Sequence, residues 1–317
     1  MYIVTGASGF IGSSIVKELN NRGITDIIAV DRLDKSDKFK NLCDCIITDY
    51  LDRDEFLEKI NADSLKCDVK AVFHQGACSD TTELDGQFML KNNFSFSKDL
   101  AHYVAKHEIP FVYASSASVY GSNKVFVEEP KNEEPLNVYG YSKLAFDQYM
   151  RVFIPKMNST AIGLRYFNVY GQRELYKGKM ASMVYQLYKQ VKNTGKAKLF
   201  EGTENYANGD QRRDFVCVKD VVDVNLFFGI EVADKAKKGI LNCGTGKSRT
   251  FNDIAKTIIE INKSGEIEYI PIPESIRIKY QSFTEADITN LRKFGYDRPF
   301  MSLEDGIKYC MDYWDKM

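Results

Sequence analysis

A parallel β-sheet covered by helices on both faces, with a smaller α/β unit woven onto it, is the fold class this sequence predicts. Three observations predict it. Short apolar segments alternate with amphipathic stretches through the first half of the chain. A glycine-rich turn joins the first such pair. After about Asn168 the texture changes, with no linker, repeat or low-complexity tract to mark a separate module.

Element by element, Tyr2–Thr5 reads as a strand, Phe10–Asn21 as a helix and Ile27–Asp31 as the next strand. Val69–Phe73 and Pro110–Ala114 are later strands, with a helix expected over Phe94–His107. The spacing predicts a helix, or a loop and helix, over Asn137–Ile154. There Phe146, Tyr149, Met150 and Phe153 recur at i, i+3, i+4, i+7 and form one buried stripe. Ala161–Arg165 reads as a strand. Beyond it, Lys177–Lys192 reads as helical and Gly202–Arg213 as a polar loop. The segment from Asp214 leads to a helix from Lys219, followed by a strand over Gly239–Cys243 and a helix over Phe251–Lys263. Residues 1–167 with about 214–243 form the first expected domain, and about 168–213 with 244–317 the second.

The chain has 317 residues, 44% of them hydrophobic and 27% charged, which suits an ordinary packed globule. A net charge of -1 supplies no overall attraction to nucleic acid or to an anionic membrane. No apolar run reaches the ~18 residues of a membrane span. The first residues run straight into a strand and do not read as a signal peptide. The seven cysteines form no CxxC pair, and the three histidines stand at no ligand spacing beside them. The expectation is reduced thiols in a cytoplasm, and no metal.

Gly6-Ala-Ser-Gly9-Phe-Ile-Gly12 lies between the first strand and the first helix. Glycines there permit a tight turn, let backbone N–H groups approach a pyrophosphate, and let helix and strand pack closely. The helix N-terminus then faces the phosphates. Together these features predict a Rossmann-type, doubly wound dinucleotide-binding sheet. Asp31, 19 residues after Gly12, can accept hydrogen bonds from the adenosine ribose, which taken alone favours NAD. Arg32 follows at once, with Lys38 and Arg53 nearby, and cations can hold a 2′-phosphate. The balance favours NADP over NAD.

Tyr139 and Lys143 form a YxxxK pair, i and i+4 on one helix face. An ammonium beside a phenol is expected to pull the phenol's pKa down from ~10, so that it can take the proton of an alcohol. Ser116, in Ala114-Ser-Ser-Ala-Ser-Val-Tyr-Gly121, follows an apolar strand where parallel sheets place their ligands. Its hydroxyl can share a proton with Tyr139. Ser115 and Ser118 are near enough to compete for the role. His74 ends a strand and reads as a satisfied core histidine.

The glycine-rich opening, the serine-rich segment, Tyr139-Gly-Tyr-Ser-Lys143 and Arg213-Asp-Phe-Val resemble the extended short-chain dehydrogenase/reductase family over essentially the full length. Five further segments narrow the resemblance to its ADP-heptose 6-epimerase branch. These are Phe73–Ser79, Arg165–Gly171, Lys177–Ser182, Leu199–Thr203 and Tyr280–Asp287. The resemblance implies inversion at C6″ of ADP-D-glycero-β-D-manno-heptose through a 6″-ketone with retained NADP, feeding lipopolysaccharide synthesis. It implies two acid/base residues, Tyr139 and Lys177, because the two epimers present their hydroxyls in different directions. From the residues alone, Lys177 reads as a solvated surface lysine.

The resemblance also implies that Phe10, Ile11, Gln75, Gly76, Ala77, Cys78, Ser79, Asn92, Lys143, Val169 and Lys177 line the cofactor site. Ser116, Asn168, Lys179, Gln186, Phe200, Glu201, Gly202, Thr203, Arg213 and Tyr280 would meet the substrate. Arg212 competes with Arg213 for the diphosphate. A homo-oligomer is implied, with a pentamer as one form. Two other readings stand beside this one: another nucleotide-sugar epimerase, such as a UDP-hexose 4-epimerase, and a non-catalytic NADP(H)-binding regulator. Ala117 and Ser118 stand where a dehydratase of the family needs an acid pair.

Overall fold

A computed structural model describes residues 1–33, 37–203, 205–274 and 281–316. Its strands are β1 (Tyr2–Thr5), β2 (Ile27–Asp31), β3 (Asp49–Asp52), β4 (Ala71–His74), β5 (Phe111–Ser116), β6 (Ala161–Tyr166), β7 (Asn168–Tyr170), β8 (Lys196–Phe200), β9 (Arg212–Arg213), β10 (Phe215–Cys217), β11 (Lys238–Cys243), β12 (Arg249–Thr250) and β13 (Glu266–Ile270). Seven of them form one parallel sheet in the order β11-β6-β5-β4-β1-β2-β3. The strand order reverses between β1 and β4, and the crevice beyond the C-terminal ends of such a pair is where open parallel sheets bind ligands.

The helices are α1 (Phe10–Asn21), α2 (Arg53–Asn61), α3 (Gly86–Leu90), α4 (Phe96–Lys106), α5 (Val138–Phe153), α6 (Met183–Thr194), α7 (Val218–Leu226), α8 (Phe251–Asn262), α9 (Thr289–Lys293) and α10 (Leu303–Trp314). Successive β-strand side chains point to opposite faces, so Ile3 and Val4 serve different cores. Val4 packs with Ile15, Val16 and Leu19 of α1 and with Val221 of α7. Ile3 packs with Leu100 and Val104 of α4 and with Phe146 and Met150 of α5. The expected stripe on α5 holds, with Tyr149 and Phe153 half-buried at its edge.

A third core joins α6, α8 and α10 around Val184, Leu187, Ile254, Ile258, Ile307 and Trp314. Strand β10 is shared between cores. Phe215 and Cys217 face the third, while Val216 faces the sheet.

Two expected elements differ from the structure. Lys177–Lys192 is not one helix. Leu175–Met180 is a 3-10 turn with Gly178 at φ 57, and α6 starts only at Met183, capped by Ser182. The predicted helix at Phe94 begins with a π-helical turn, Lys91–Ser95, before α4. In both, the apolar spacing was read through a local break.

Candidate active site

A cavity of about 500 Å³ opens beyond the C-terminal ends of β1, β4 and β5. Its floor is the glycine-rich turn. Gly6 adopts φ 66, and a Cβ there would stand 2.8 Å from the Gly76 nitrogen. A Cβ on Gly12 would stand 2.0 Å from the Gly6 carbonyl oxygen. These two positions exclude side chains and bring α1 against the turn. Gly9, the N-cap of α1, has no side chain to cap the helix, so its first N–H groups are left to an anion.

At one end of the cavity the Asp31 carboxylate accepts from the Ser8 amide (2.8 Å), the Ser8 hydroxyl (2.5 Å), the Arg32 amide (2.7 Å) and the Lys38 ammonium (2.7 Å). Arg32 and Arg53 line the same end. Arg53 donates to Asn92 and to Asp54. Asp31 is thus occupied in holding the turn and a cation. The residues fit a dinucleotide: a cradle that Cβ atoms would fill, an uncapped helix end, and three cations at the far end.

Strand β5 ends on Ser116, which caps a 3-10 turn over Ala117–Tyr120 by accepting from the Ser118 amide at 3.1 Å. The Ser118 hydroxyl also donates to it, at 2.9 Å. Ser115 turns inward and donates to Asp147 at 2.8 Å. That leaves Ser116 facing the cavity, whose lining it shares with Tyr139. Asn137 caps α5 on the Gly140 amide. Gly140 lets α5 approach this turn, since a Cβ there would stand 2.9 Å from the Ser118 carbonyl.

Lys143, one turn along α5, donates to the Ala114 carbonyl at 2.9 Å. Burial pushes its ammonium down to about 8, opposed by the Asp147 carboxylate. Tyr139 departs from the expectation. Burial raises its phenol above the ordinary value and outweighs the opposing influence of the Ser116 hydroxyl, so the phenol holds its proton at neutral pH. Lys143 points to a backbone carbonyl here and does not lower it.

Lys177, from the segment beyond β7, also lines the cavity, its ammonium 5.5 Å above the Phe10 ring. Burial lowers its pKa against the opposing pull of Glu174. It is therefore not the solvated lysine its sequence context suggests. His74 is a core histidine, bonded to Thr5 (2.6 Å) and Ser97 (2.7 Å), and burial pushes it down to about 3.

Every residue expected to hold the cofactor lines this cavity, as do Ser116 and Tyr139. The other residues expected to meet substrate lie outside its lining. Asn168 is exposed at the start of β7, 3.4 Å from the Thr284 hydroxyl. Lys179 is exposed, and Gln186 donates to the carbonyls of Lys179 and Ala181. Phe200 ends β8. The Glu201 carbonyl accepts from Gln211, the Gly202 amide donates to Asn208, and Thr203 bridges to Tyr206. Arg213 is buried over the Phe251 ring at 5.8 Å, and Arg212 donates to the Ser248 carbonyl at 2.9 Å. Tyr280 lies outside the described residues.

Sequence reasoning missed a hydrogen-bonded triad at the cavity wall. Tyr166 donates to Gln75 at 2.9 Å, and Asn225 of α7 accepts from Gln75 at 3.0 Å and donates to Tyr166 at 2.9 Å. Tyr166 lies within a recognised segment. Asn225 carried no signal, because it lies 150 residues from Gln75 in the chain.

A sheet of this order with a glycine cradle and a Ser–Tyr–Lys set defines a nicotinamide-dependent enzyme of the short-chain class. The profile described as the NAD dependent epimerase/dehydratase family matches residues 2–244, and the chain belongs to that family. It is 52% identical over 312 residues to the ADP-L-glycero-D-manno-heptose-6-epimerase of Alkalilimnicola ehrlichii, covering 98% of this chain and 97% of that one. The crystal structure of the Helicobacter pylori ADP-L-glycero-D-manno-heptose-6-epimerase superposes with a TM-score of 0.85 at 32% identity, covering 100% of this chain and 96% of that one. A UDP-glucose 4-epimerase from Thermotoga maritima, solved with UDP-glucose, gives 0.80 at 28%, covering 99% and 98%.

Proposed function

We propose that this chain is an ADP-heptose 6-epimerase. It would interconvert ADP-D-glycero-β-D-manno-heptose and its L-glycero epimer, and so supply heptose for lipopolysaccharide. The observation that carries the reading is the pairing of near-full-length likeness to such an enzyme with two proton-transfer groups, Tyr139 and Lys177, in the lining of one cavity. Two acid/base groups in one cavity lining suit an epimerisation, because the hydroxyls of the two epimers point in different directions.

When bound, a nicotinamide supplies a reversible hydride acceptor. Tyr139, protonated as burial leaves it and with Ser116 beside it, would hold the C6″ oxygen of one epimer and give it a proton as hydride returns to the carbon, taking that proton back in the reverse direction. Lys177, its pKa lowered by burial, would take the proton of the other epimer's hydroxyl as that carbon is oxidised. Lys143 anchors the strand end carrying Ser115 and Ser116. Lys38, Arg32 and Arg53 support NADP over NAD, because three cations in the cavity lining could hold a 2′-phosphate while the Asp31 carboxylate already accepts from four donors.

Residues 1–167 with about 214–243 would hold the cofactor. The remainder would hold the ADP-heptose, with Asn168, Phe200–Thr203 and Arg213 closing on it, and the protein would work as a homo-oligomer. No helix among the described residues is long and apolar enough to cross a membrane, and all seven cysteines are free. Free thiols support a reducing compartment, the cytoplasm. Extracting the purified protein's cofactor and weighing it by mass spectrometry tests the NADP assignment: NADP is expected, and NAD alone would overturn it.

A further inference from the structure

The segment that carries Lys177 is a closed unit with a single strained residue at its entrance. Arg173 is buried and sits at φ 69, a left-handed conformation that side chains rarely adopt. Its guanidinium donates to the Asp44 carboxylate at 2.6 and 2.8 Å and to the Asn41 carbonyl. The Asn41 side chain answers by donating to the Arg173 carbonyl at 3.0 Å, and also to the Ser8 carbonyl at 3.1 Å. Asn41 is buried, on the 3-10 turn Asp37–Leu42 that also carries Lys38. Ser8 belongs to the glycine-rich turn.

The far end of the unit is tied as well. Glu174, fully buried, accepts from the Gly171 amide (2.8 Å), the Ser182 amide (2.6 Å) and the Ser182 hydroxyl (2.9 Å). The Lys177 amide donates to the Glu174 carbonyl at 3.0 Å. Residues 171–182 therefore form a small ring, and the reciprocal Arg173–Asn41 pair is its tie to the phosphate-binding turn.

We infer that Arg173, held by Asn41 and Asp44, is a positioning residue that sets the Lys177 ammonium over the cavity in register with the dinucleotide cradle. The inference rests on Lys177 acting as one of the two acid/base groups. An ordinary structural arginine needs no left-handed backbone, and a surface loop needs no tie to Ser8. Both features are explained if a lysine on a glycine-containing turn must hold one height above Phe10. The lysine's four-carbon stem is flexible, so its backbone must supply the precision.

The test is a double-variant cycle read by turnover of the purified, cofactor-loaded enzyme on ADP-heptose. Arg173→Gly accepts φ 69 without strain, which separates the clamp from the backbone geometry. Arg173→Gly is expected to lower kcat about tenfold with KM and bound-cofactor content unchanged. Arg173→Lys should recover part of the loss. In a Lys177→Met background, Arg173→Gly should change kcat by less than about twofold, since the group it positions is gone. Asp44→Asn, at a half-exposed site, breaks the same clamp more gently and should follow the same pattern if Arg173→Gly folds poorly.

Equal losses in both backgrounds, or no loss in either, would overturn the positioning role while leaving Lys177 as a base. If Lys177→Met itself turns over normally, the assignment of Lys177 fails first, and the role of Arg173 with it.

Discussion

The two walls of the cavity are built differently. The wall of β1, β4, β5 and α5 is made from regular elements whose ends converge by topology. Gly6, Ser116, Tyr139 and Lys143 each sit at a strand end or in the first two turns of a helix, and short-range spacing places them. The wall of residues 171–182 has no regular element behind Lys177. It is held by side chains from afar, with Arg173 on Asn41 and Asp44 and Glu174 folded back on Ser182. Regular structure gives robust placement, whereas a clamped turn gives placement that one substitution can undo.

The largest effect is expected on the regular wall. Tyr139→Phe removes the positioned phenol and should lower turnover at least ~10²-fold, measured from initial epimerisation rates, with the fold intact by circular dichroism. A loss smaller than tenfold would put proton transfer on the other wall. Next comes the cradle. Gly12→Ala forces a Cβ against the Gly6 carbonyl and should destabilise by about 1–3 kcal/mol while emptying the site of cofactor. Thermal unfolding together with the nucleotide content of the purified variant checks this. An unchanged melting temperature with full cofactor would mean that α1 can shift freely.

Lys38→Ala should weaken NADP about tenfold and NAD hardly at all, read from titrations of cofactor-stripped protein. Equal weakening of both would make Lys38 a brace for Asp31 and no more.

The smallest effect concerns His74, buried at the end of β4. Its folded-state value of about 3 lies below the ordinary 6.5, so the unfolded chain binds the extra proton. Stability from this group is full above about 6.5 and is lost as pH falls towards 3. Going from about pH 7 to 5.5 should cost roughly 1 kcal/mol, seen as a lower urea midpoint. His74→Gln should flatten that slope.

The contrast between walls also explains what could be read in the sequence. The glycine cradle, Asp31, Ser116 and the YxxxK pair were legible because each depends on neighbours within one turn or one strand–helix junction. The strand–helix alternation was legible for the same reason. The break at Gly178 was not, because apolar spacing continues across it into α6. The Tyr139 proton was misjudged because a pKa depends on burial, which spacing does not report. The clamp on Arg173 and the Gln75–Tyr166–Asn225 triad were invisible, since their partners lie between 59 and 150 residues apart. The residues expected around the nucleotide, from Phe200 to Arg213, came from resemblance alone, and none lines the cavity.

The most direct test gives the purified protein ADP-D-glycero-β-D-manno-heptose without added cofactor and follows the C6″ epimers by proton NMR. Two acid/base groups around a retained NADP predict drift to a mixture dominated by the L-glycero epimer. A static spectrum, even after NADP⁺ is supplied, with UDP-glucose converted to UDP-galactose instead, would contradict the account.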